Sequence, residues 1–187
     1  MTTVEATLLD EILPEFDVAA RYSIKIRATP DAIFQIIQKG IPTGTLTRFL
    51  MMLRRIPRIF RHAESVDYSF YKLKQSQGRE IVIGIVGQFW KPVSNNVVIN
   101  GLEEFLSFQK NGFCKAAVNL QIIPQGDGVC KLVTETRVFS YGYAKDRFGT
   151  YWQLIKPFSG MIRKEILRKI KKQAESVSEN PARHSSS

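Results

Sequence analysis

The chain has 187 residues, of which 44% are hydrophobic and 24% are charged, and its formal net charge is +10. This composition excludes a disordered or fibrous protein, and the length suits one domain. The longest uninterrupted apolar stretch, at 81–87, is far shorter than a transmembrane helix, and the acidic start lacks the basic residues of a signal peptide. We therefore expect a cytoplasmic protein, with an N-terminal extension at 1–13, a single domain at 14–175 and a disordered tail at 176–187.

Two basic segments carry the whole excess of positive charge. Residues 48–61 contain five arginines and no acid, and residues 163–172 contain six basic residues and one acid. Concentrated positive charge favours an anionic partner, either a membrane lipid or a nucleic acid. Because the predicted exposed strand faces are mixed in charge, we expect no nucleic acid and a weak contact with an anionic membrane surface.

The first part of the chain predicts one strand followed by two short helices. Residues 17–28 alternate between apolar and polar side chains, which is typical of a half-buried strand. Thr29 and Pro30 then supply an N-cap and a first-turn proline for a helix. Apolar residues at helical spacing predict a second helix over 45–56, which ends before Pro57.

Antiparallel strands are predicted for the middle of the chain. Residues 68–75 and 80–90 flank a Gln-Gly turn and form a hairpin, and a short strand follows near 97–100. Two longer strands, 113–123 and 129–141, surround a turn rich in glycine. This succession predicts one antiparallel sheet.

The two longer strands divide into an inner and an outer face. Placing residue 123 opposite residue 129 pairs Cys114 with Val138, so that every second residue of both strands lies on one, mostly apolar, face. The intervening residues, among them Lys115 and Arg137, are then expected to face solvent.

Residues that carry chemistry are few. In this register Cys114 and Cys130 lie on the order of 25 Å apart, so we expect two free thiols, as in a reducing compartment. Neither cysteine has a second thiol at metal-binding spacing, and His62 is the single histidine before the tail. We expect no metal ion, no cofactor and no catalytic residue.

A long C-terminal helix is predicted over 146–175. Its apolar stripe recurs at steps of three and four residues and includes Trp152 and Ile155, while Ser159 interrupts it with a hydroxyl. Pro157 removes one backbone donor from the helix interior, which predicts a kink.

Four segments together indicate a family. They are ATPDAIF at 28–34, GIVGQFW at 84–90, TETRV at 134–138 and YWQLIKPFSGMIR at 151–163. Their order resembles an uncharacterised bacterial branch of the SRPBCC superfamily, which includes START-type lipid-binding domains and polyketide cyclase-like proteins. The resemblance implies an α+β helix-grip fold, in which a curved antiparallel sheet wraps around the C-terminal helix and two short helices follow the first strand. It also implies a mostly apolar cavity between helix and sheet, but no common reaction.

The function expected from this resemblance is the non-catalytic binding or transport of a hydrophobic small molecule or lipid. Seven residues on the inward faces are expected to line the cavity: Val118, Thr134, Thr136, Trp152, Ile155, Ser159 and Arg163. Arg163 flanks the helix stripe, where it meets a ligand carboxylate or phosphate or else pairs with a neighbouring acid. The hydroxyls orient a ligand or else serve the strands and the proline kink alone. A polyketide aromatase/cyclase-like enzyme and a membrane-surface or protein-interaction module are the alternatives.

Overall fold

The structure is a computed structural model that describes residues 6–40, 70–91 and 95–179. Within these ranges the chain forms ten elements. In chain order they are α1 (Leu8–Ile12), β1 (Val18–Arg27), α2 (Pro30–Gln38), β2 (Tyr71–Ser76), β3 (Glu80–Gly87), β4 (Asn96–Val97), α3 (Leu102–Ser107), β5 (Cys114–Gly126), β6 (Val129–Ser140) and α4 (Ala144–Glu179).

The strands form one curved antiparallel sheet, and the long helix α4 packs across its inner face. The strand order is β1-β6-β5-β3-β2, and β4 pairs with β3. Helix α4 contacts β1, β6 and α2, so the helix lies within the grip of the sheet. This α+β architecture is the helix-grip fold that the resemblance to the SRPBCC superfamily implies, and the predicted fold class is confirmed.

Local signals in the first part of the chain produce the predicted elements. Strand β1 buries alternate residues partly, and Thr29 caps α2 by accepting a hydrogen bond from the amide of Ala32 at 3.3 Å. Pro30 occupies the first turn of α2, where its missing donor costs nothing. The helix predicted over 45–56 lies outside the described residues, as does the basic segment 48–61.

The predicted register of the two longest strands is wrong by two residues. Cys114 pairs with Ser140 and Ala116 with Val138, because β5 continues to Gly126 and the turn shortens to two residues. A bulge between Pro124 and Gly126 accommodates the extra length of β5. Because the shift is an even number of residues, every side chain stays on its predicted face.

The inner face carries two apolar clusters that pack against the helices. The first contains Ile26, Phe34 and Leu132 together with Leu167 and Ile170 of α4. The second lies around Phe148, near the beginning of α4, and includes the Cys114 side chain. Cys114 and Cys130 are both buried and free, as predicted.

The outer face is also covered, which contradicts the prediction that Lys115 and Arg137 face solvent. Helices α1 and α3 pack on this face with a third apolar cluster that includes Leu9, Val82 and Phe105. Lys115 is 6% exposed and Arg137 is 8% exposed. The segment 1–13, predicted to be an extension, therefore contributes part of the core through its described residues.

Arg137 fastens the N-terminal segment to the outer face. Its guanidinium donates to Asp10 Oδ1 at 2.6 Å, to the Leu13 carbonyl at 3.2 Å and to Glu135 Oε1 at 2.7 Å. The Phe16 ring lies 4.8 Å from the guanidinium carbon. The alternation in β6 does not predict this contact. A polar residue at an outer-face position can either face solvent or form an ion pair, and the pattern is the same in both cases.

Helix α4 is longer than predicted. It continues to Glu179, so the residues at 176–179 of the expected tail are helical, and Pro157 lies inside it. None of the helices in the described ranges is long and apolar enough to cross a membrane.

Candidate functional site

The inner face contains a row of side chains that lies between its two apolar clusters. Register places Ile83, Val118, Thr136 and Ala20 side by side across β3, β5, β6 and β1. Ile83 and Val118 are partly exposed, whereas the inner-face residues before and after them in β3 and β5 are buried. Ala20 is partly exposed too, like its inner-face neighbours in the edge strand β1. In β3 and β5 this row is therefore less tightly covered than the rows beside it.

The middle of α4 is also incompletely covered. Trp152, Ile155 and Ser159 are all partly exposed, whereas Phe148 and Ile162, at either end of this stretch, are buried. This stretch of the helix meets the row of the sheet at Ser159, since Arg163 bonds both to Ser159 and to Thr136.

Three of the seven predicted residues form one hydrogen-bonded group. Arg163 Nε donates to Thr136 Oγ1 at 3.0 Å, and the two terminal nitrogens of its guanidinium reach Thr136 Oγ1 at 2.5 Å and the Ser159 hydroxyl. One of these nitrogens also lies 3.4 Å from the Ser159 carbonyl oxygen. Strand β6 and helix α4 are therefore joined by a cation that two hydroxyl oxygens hold in place.

Arg163 forms no ion pair with an acid of the described residues. Burial lowers the pKa of its guanidinium to about 10, and the nearby Tyr22 opposes this shift. The group remains charged at neutral pH, but it lacks full hydration and, within the described part of the chain, a counter-ion. Such a group attracts an anion.

The other predicted residues are placed differently. Thr134 is buried and donates to the Asn119 carbonyl at 2.8 Å, so its hydroxyl serves the sheet. Trp152 stacks on Phe148 with ring centroids 6.1 Å apart, at the Phe148 end of the site. Val118 lies next to Thr136 in the central row.

Two inner-face residues, Ala20 and Ile83, were not among the seven. The alternation in β1 placed Ala20 on the inner face, but nothing in that pattern showed that it lies beside Thr136. Ile83 belongs to an apolar run, where alternation gives no signal at all. Cross-strand register identifies both.

The cysteines contribute no nucleophile. Burial raises the pKa of the Cys114 thiol to about 11 and also raises the pKa of Cys130. The Cys114 thiol donates to Ser140 Oγ at 3.3 Å, and the Cys130 thiol donates to the Ala28 carbonyl. Both groups are protonated at neutral pH, when thiols are poor nucleophiles.

A groove runs along the solvent side of α4, where this helix meets the edge strand β1. Its volume is about 490 Å³. The residues that line it are Tyr22, Lys156, Pro157, Gly160, Met161, Lys164 and Arg168. None of the seven predicted cavity residues borders this groove. In the described part of the chain, no group of three or more His, Cys, Asp or Glu side chains is placed to hold a metal ion.

Comparison with known proteins gives structural similarity at low sequence identity. No family model matches the chain, and no curated protein matches it. Norcoclaurine synthase from Thalictrum flavum aligns with 9% identity, a TM-score of 0.44 and coverage of 89% of this chain and 94% of that one. A conserved protein from Geobacillus kaustophilus aligns with 12% identity, a TM-score of 0.38 and coverage of 86% and 97%.

CalU16 from Micromonospora echinospora is a further solved structure that aligns with this chain. Its identity is 16%, its TM-score is 0.34, and the alignment covers 86% of both chains. Identities and TM-scores this low carry no information about activity. We therefore base the function on the geometry of the chain itself.

Proposed function

We propose that the chain binds a hydrophobic small molecule or lipid between α4 and the inner face of the sheet, without catalysing a reaction. The observation that carries this proposal is the row Ile83, Val118, Thr136 and Ala20, whose apolar members are partly exposed between two packed clusters. Apolar walls supply affinity at roughly 25 cal/mol per Å² of buried area.

The group formed by Arg163, Thr136 and Ser159 supplies the polar end of this site. The guanidinium has no described counter-ion, and the two hydroxyls that hold it keep their own hydrogens for donation. A ligand carboxylate or phosphate placed here accepts from all three groups. The preferred ligand is therefore an apolar molecule with one anionic end.

The enzyme alternative lacks support from the described residues. The inner faces of β1, β3, β5 and β6 carry no carboxylate and no imidazole, and the inward stripe of α4 carries none either. General acid–base catalysis by these groups is thus not favoured, and the cysteine thiols are protonated. Non-catalytic binding accounts for the apolar row and for a guanidinium that has no acidic partner among the described residues.

The test is a titration with palmitate and with methyl palmitate, followed by tryptophan emission. Trp152 borders the site, so we expect a saturable shift with palmitate and weaker binding of the ester. In Arg163→Met this preference for the acid should disappear while the ester still binds. Native mass spectrometry of protein purified from its own host should detect the co-purified ligand.

A pair of neighbouring alanines provides the matched control. Ala20 lies on the inner face and Ala19 is exposed on the outer side of the same strand. Ala20→Phe fills the proposed space and should weaken palmitate binding about tenfold or more, whereas Ala19→Phe should leave it unchanged. Flat titrations with fatty acid, sterol and aromatic probes, or equal binding by both variants, would show that this face binds no ligand.

A further inference from the structure

Three cations of α4 line the groove beside β1. Lys156, Lys164 and Arg168 are exposed, and none of them forms an ion pair within the described residues. The nearest acid along the helix, Glu165, is paired with Lys169 at 3.3 Å. With a rise of about 1.5 Å per residue, Lys164 and Arg168 are separated by about 6 Å along the axis. Two positive charges at this spacing suit one multiply charged anion.

Tyr22 forms the floor of the groove and adds a neutral hydrogen-bond donor. A Cβ at Gly160 would lie 2.5 Å from the Tyr22 hydroxyl oxygen, so the glycine leaves room for the Tyr22 side chain in its present position. Lys164 Nζ lies 5.8 Å from the centre of the Tyr22 ring. The hydroxyl makes no hydrogen bond to any residue of the described ranges. Among the described residues nothing competes with a ligand for its hydrogen.

We propose that this groove is a second binding site, separate from the space between α4 and the sheet, and that it binds a phosphate group. The Arg168 guanidinium matches two phosphate oxygens with a fork of donors, and Lys164 adds a mobile point charge. Pro157 and the 52% exposed Met161 provide an apolar wall for the carbon skeleton attached to the phosphate. The volume of about 490 Å³ lies within the range of small-molecule sites.

A nucleic acid fits this groove less well than a phosphate monoester or a phospholipid headgroup. Binding of single strands relies on exposed aromatic faces on which bases stack. The Tyr22 ring is the aromatic group of this groove, and Lys164 lies over it while Gly160 abuts its hydroxyl. No free aromatic face among the described residues of this groove is therefore available for a base to stack on, and the cations are better suited to bind an isolated phosphate group.

The test uses two phosphate sources. One is co-sedimentation with phosphatidylcholine vesicles that contain about one-fifth phosphatidic acid, and the other is calorimetric titration with glycerol 3-phosphate. Binding to these vesicles alone assigns the site to a lipid headgroup, and binding of glycerol 3-phosphate assigns it to a soluble monoester. Absence of binding to both probes overturns the proposal. Equal sedimentation with phosphatidylserine vesicles of the same charge also overturns it, because general electrostatic attraction then suffices.

Charge-matched variants assign the binding to the groove. Lys164→Glu/Arg168→Glu should weaken binding about tenfold or more, since each basic residue contributes about 1 kcal/mol at an anionic surface. Lys72→Glu/Arg147→Glu changes two exposed residues outside the groove by the same charge and should bind as wild type. Equal losses in both variants would refute the assignment. The milder Lys164→Gln/Arg168→Gln replaces the first variant if circular dichroism shows that it is unfolded.

Tyr22→Phe separates a built site from a diffuse positive surface. The substitution leaves the net charge unchanged and removes one hydroxyl, so we expect about a threefold loss of affinity for the better of the two probes. Unchanged affinity would exclude the hydroxyl from the site and contradict the proposed geometry. Neither outcome depends on whether palmitate binds on the inner face, so the two proposals can fail separately.

Discussion

Removal of the Arg137 side chain should destabilise the protein, because it leaves a nearly buried carboxylate without its main partner. Arg137 and Glu135 form an ion pair at 2.7 Å, with side chains 10% and 14% exposed. Arg137→Ala leaves the Glu135 carboxylate with Arg21 alone, at 3.8 Å and with the Arg21 side chain 58% exposed. It also frees the Leu13 carbonyl from its hydrogen bond.

The expected magnitude follows from these exposures. Breaking a buried pair from one side costs about 3–5 kcal/mol, and the lower end applies because Arg21 still screens the carboxylate. The contact with Asp10 adds little, since the Asp10 side chain is 42% exposed. We expect a loss of about 3 kcal/mol in the free energy of unfolding.

Urea denaturation of matched variants measures this loss. Arg21→Ala breaks the exposed pair to the same carboxylate and should cost less than about 1 kcal/mol. The double variant Arg137→Ala/Glu135→Ala should be less destabilised than Arg137→Ala, because no unpaired charge remains buried. If Arg137→Ala unfolds within about 1 kcal/mol of the wild type, the N-terminal segment is not fastened by this contact.

The thiols should not react with an aromatic disulfide reagent while the protein is folded. With a pKa of about 11, about one Cys114 thiol in a thousand is ionised at pH 8, and the thiolate is the reactive form. Both Cys114 and Cys130 should react after denaturation without reductant, and a disulfide at that stage would contradict the strand register. Gly160→Ala should destabilise the protein although alanine favours helices by about 1 kcal/mol, because the new Cβ meets the Tyr22 hydroxyl at 2.5 Å. The melting temperature should partly recover in Gly160→Ala/Tyr22→Phe, where the nearest remaining atom is the ring carbon Cζ at 3.1 Å. If Gly160→Ala alone melts at or above the wild-type temperature, the Tyr22 ring moves freely out of the way.

Local sequence signals were sufficient for the strands and for helices α2 and α4, but they did not predict the short helices α1 and α3. The alternation in β1 and the Thr29 cap of α2 act between neighbouring residues, so the unfolded chain already encodes them. The faces of β5 and β6 were predicted correctly although their register was wrong. Side chains in a strand alternate with a period of two, and the register error was also two residues. The register is determined by the two-residue turn before Val129 and by the bulge between Pro124 and Gly126. The bulge depends on how the two strands pair, which the pattern of residues in one strand does not show.

The candidate site depended on contacts between distant segments. The sequence placed Thr136, Ser159 and Arg163 on inward faces, but their hydrogen bonds require the crossing of α4 over β6. The sequence pattern likewise did not predict the burial of Lys115 and Arg137. Alternation within a strand shows which side chains are polar, but the helices that cover the outer face lie elsewhere in the chain. The groove beside Tyr22 exists only where Gly160 meets β1. The sequence by itself determined which side chains face inward, because backbone geometry fixes that locally; the tertiary structure decided which of them meet, because that depends on how distant elements pack.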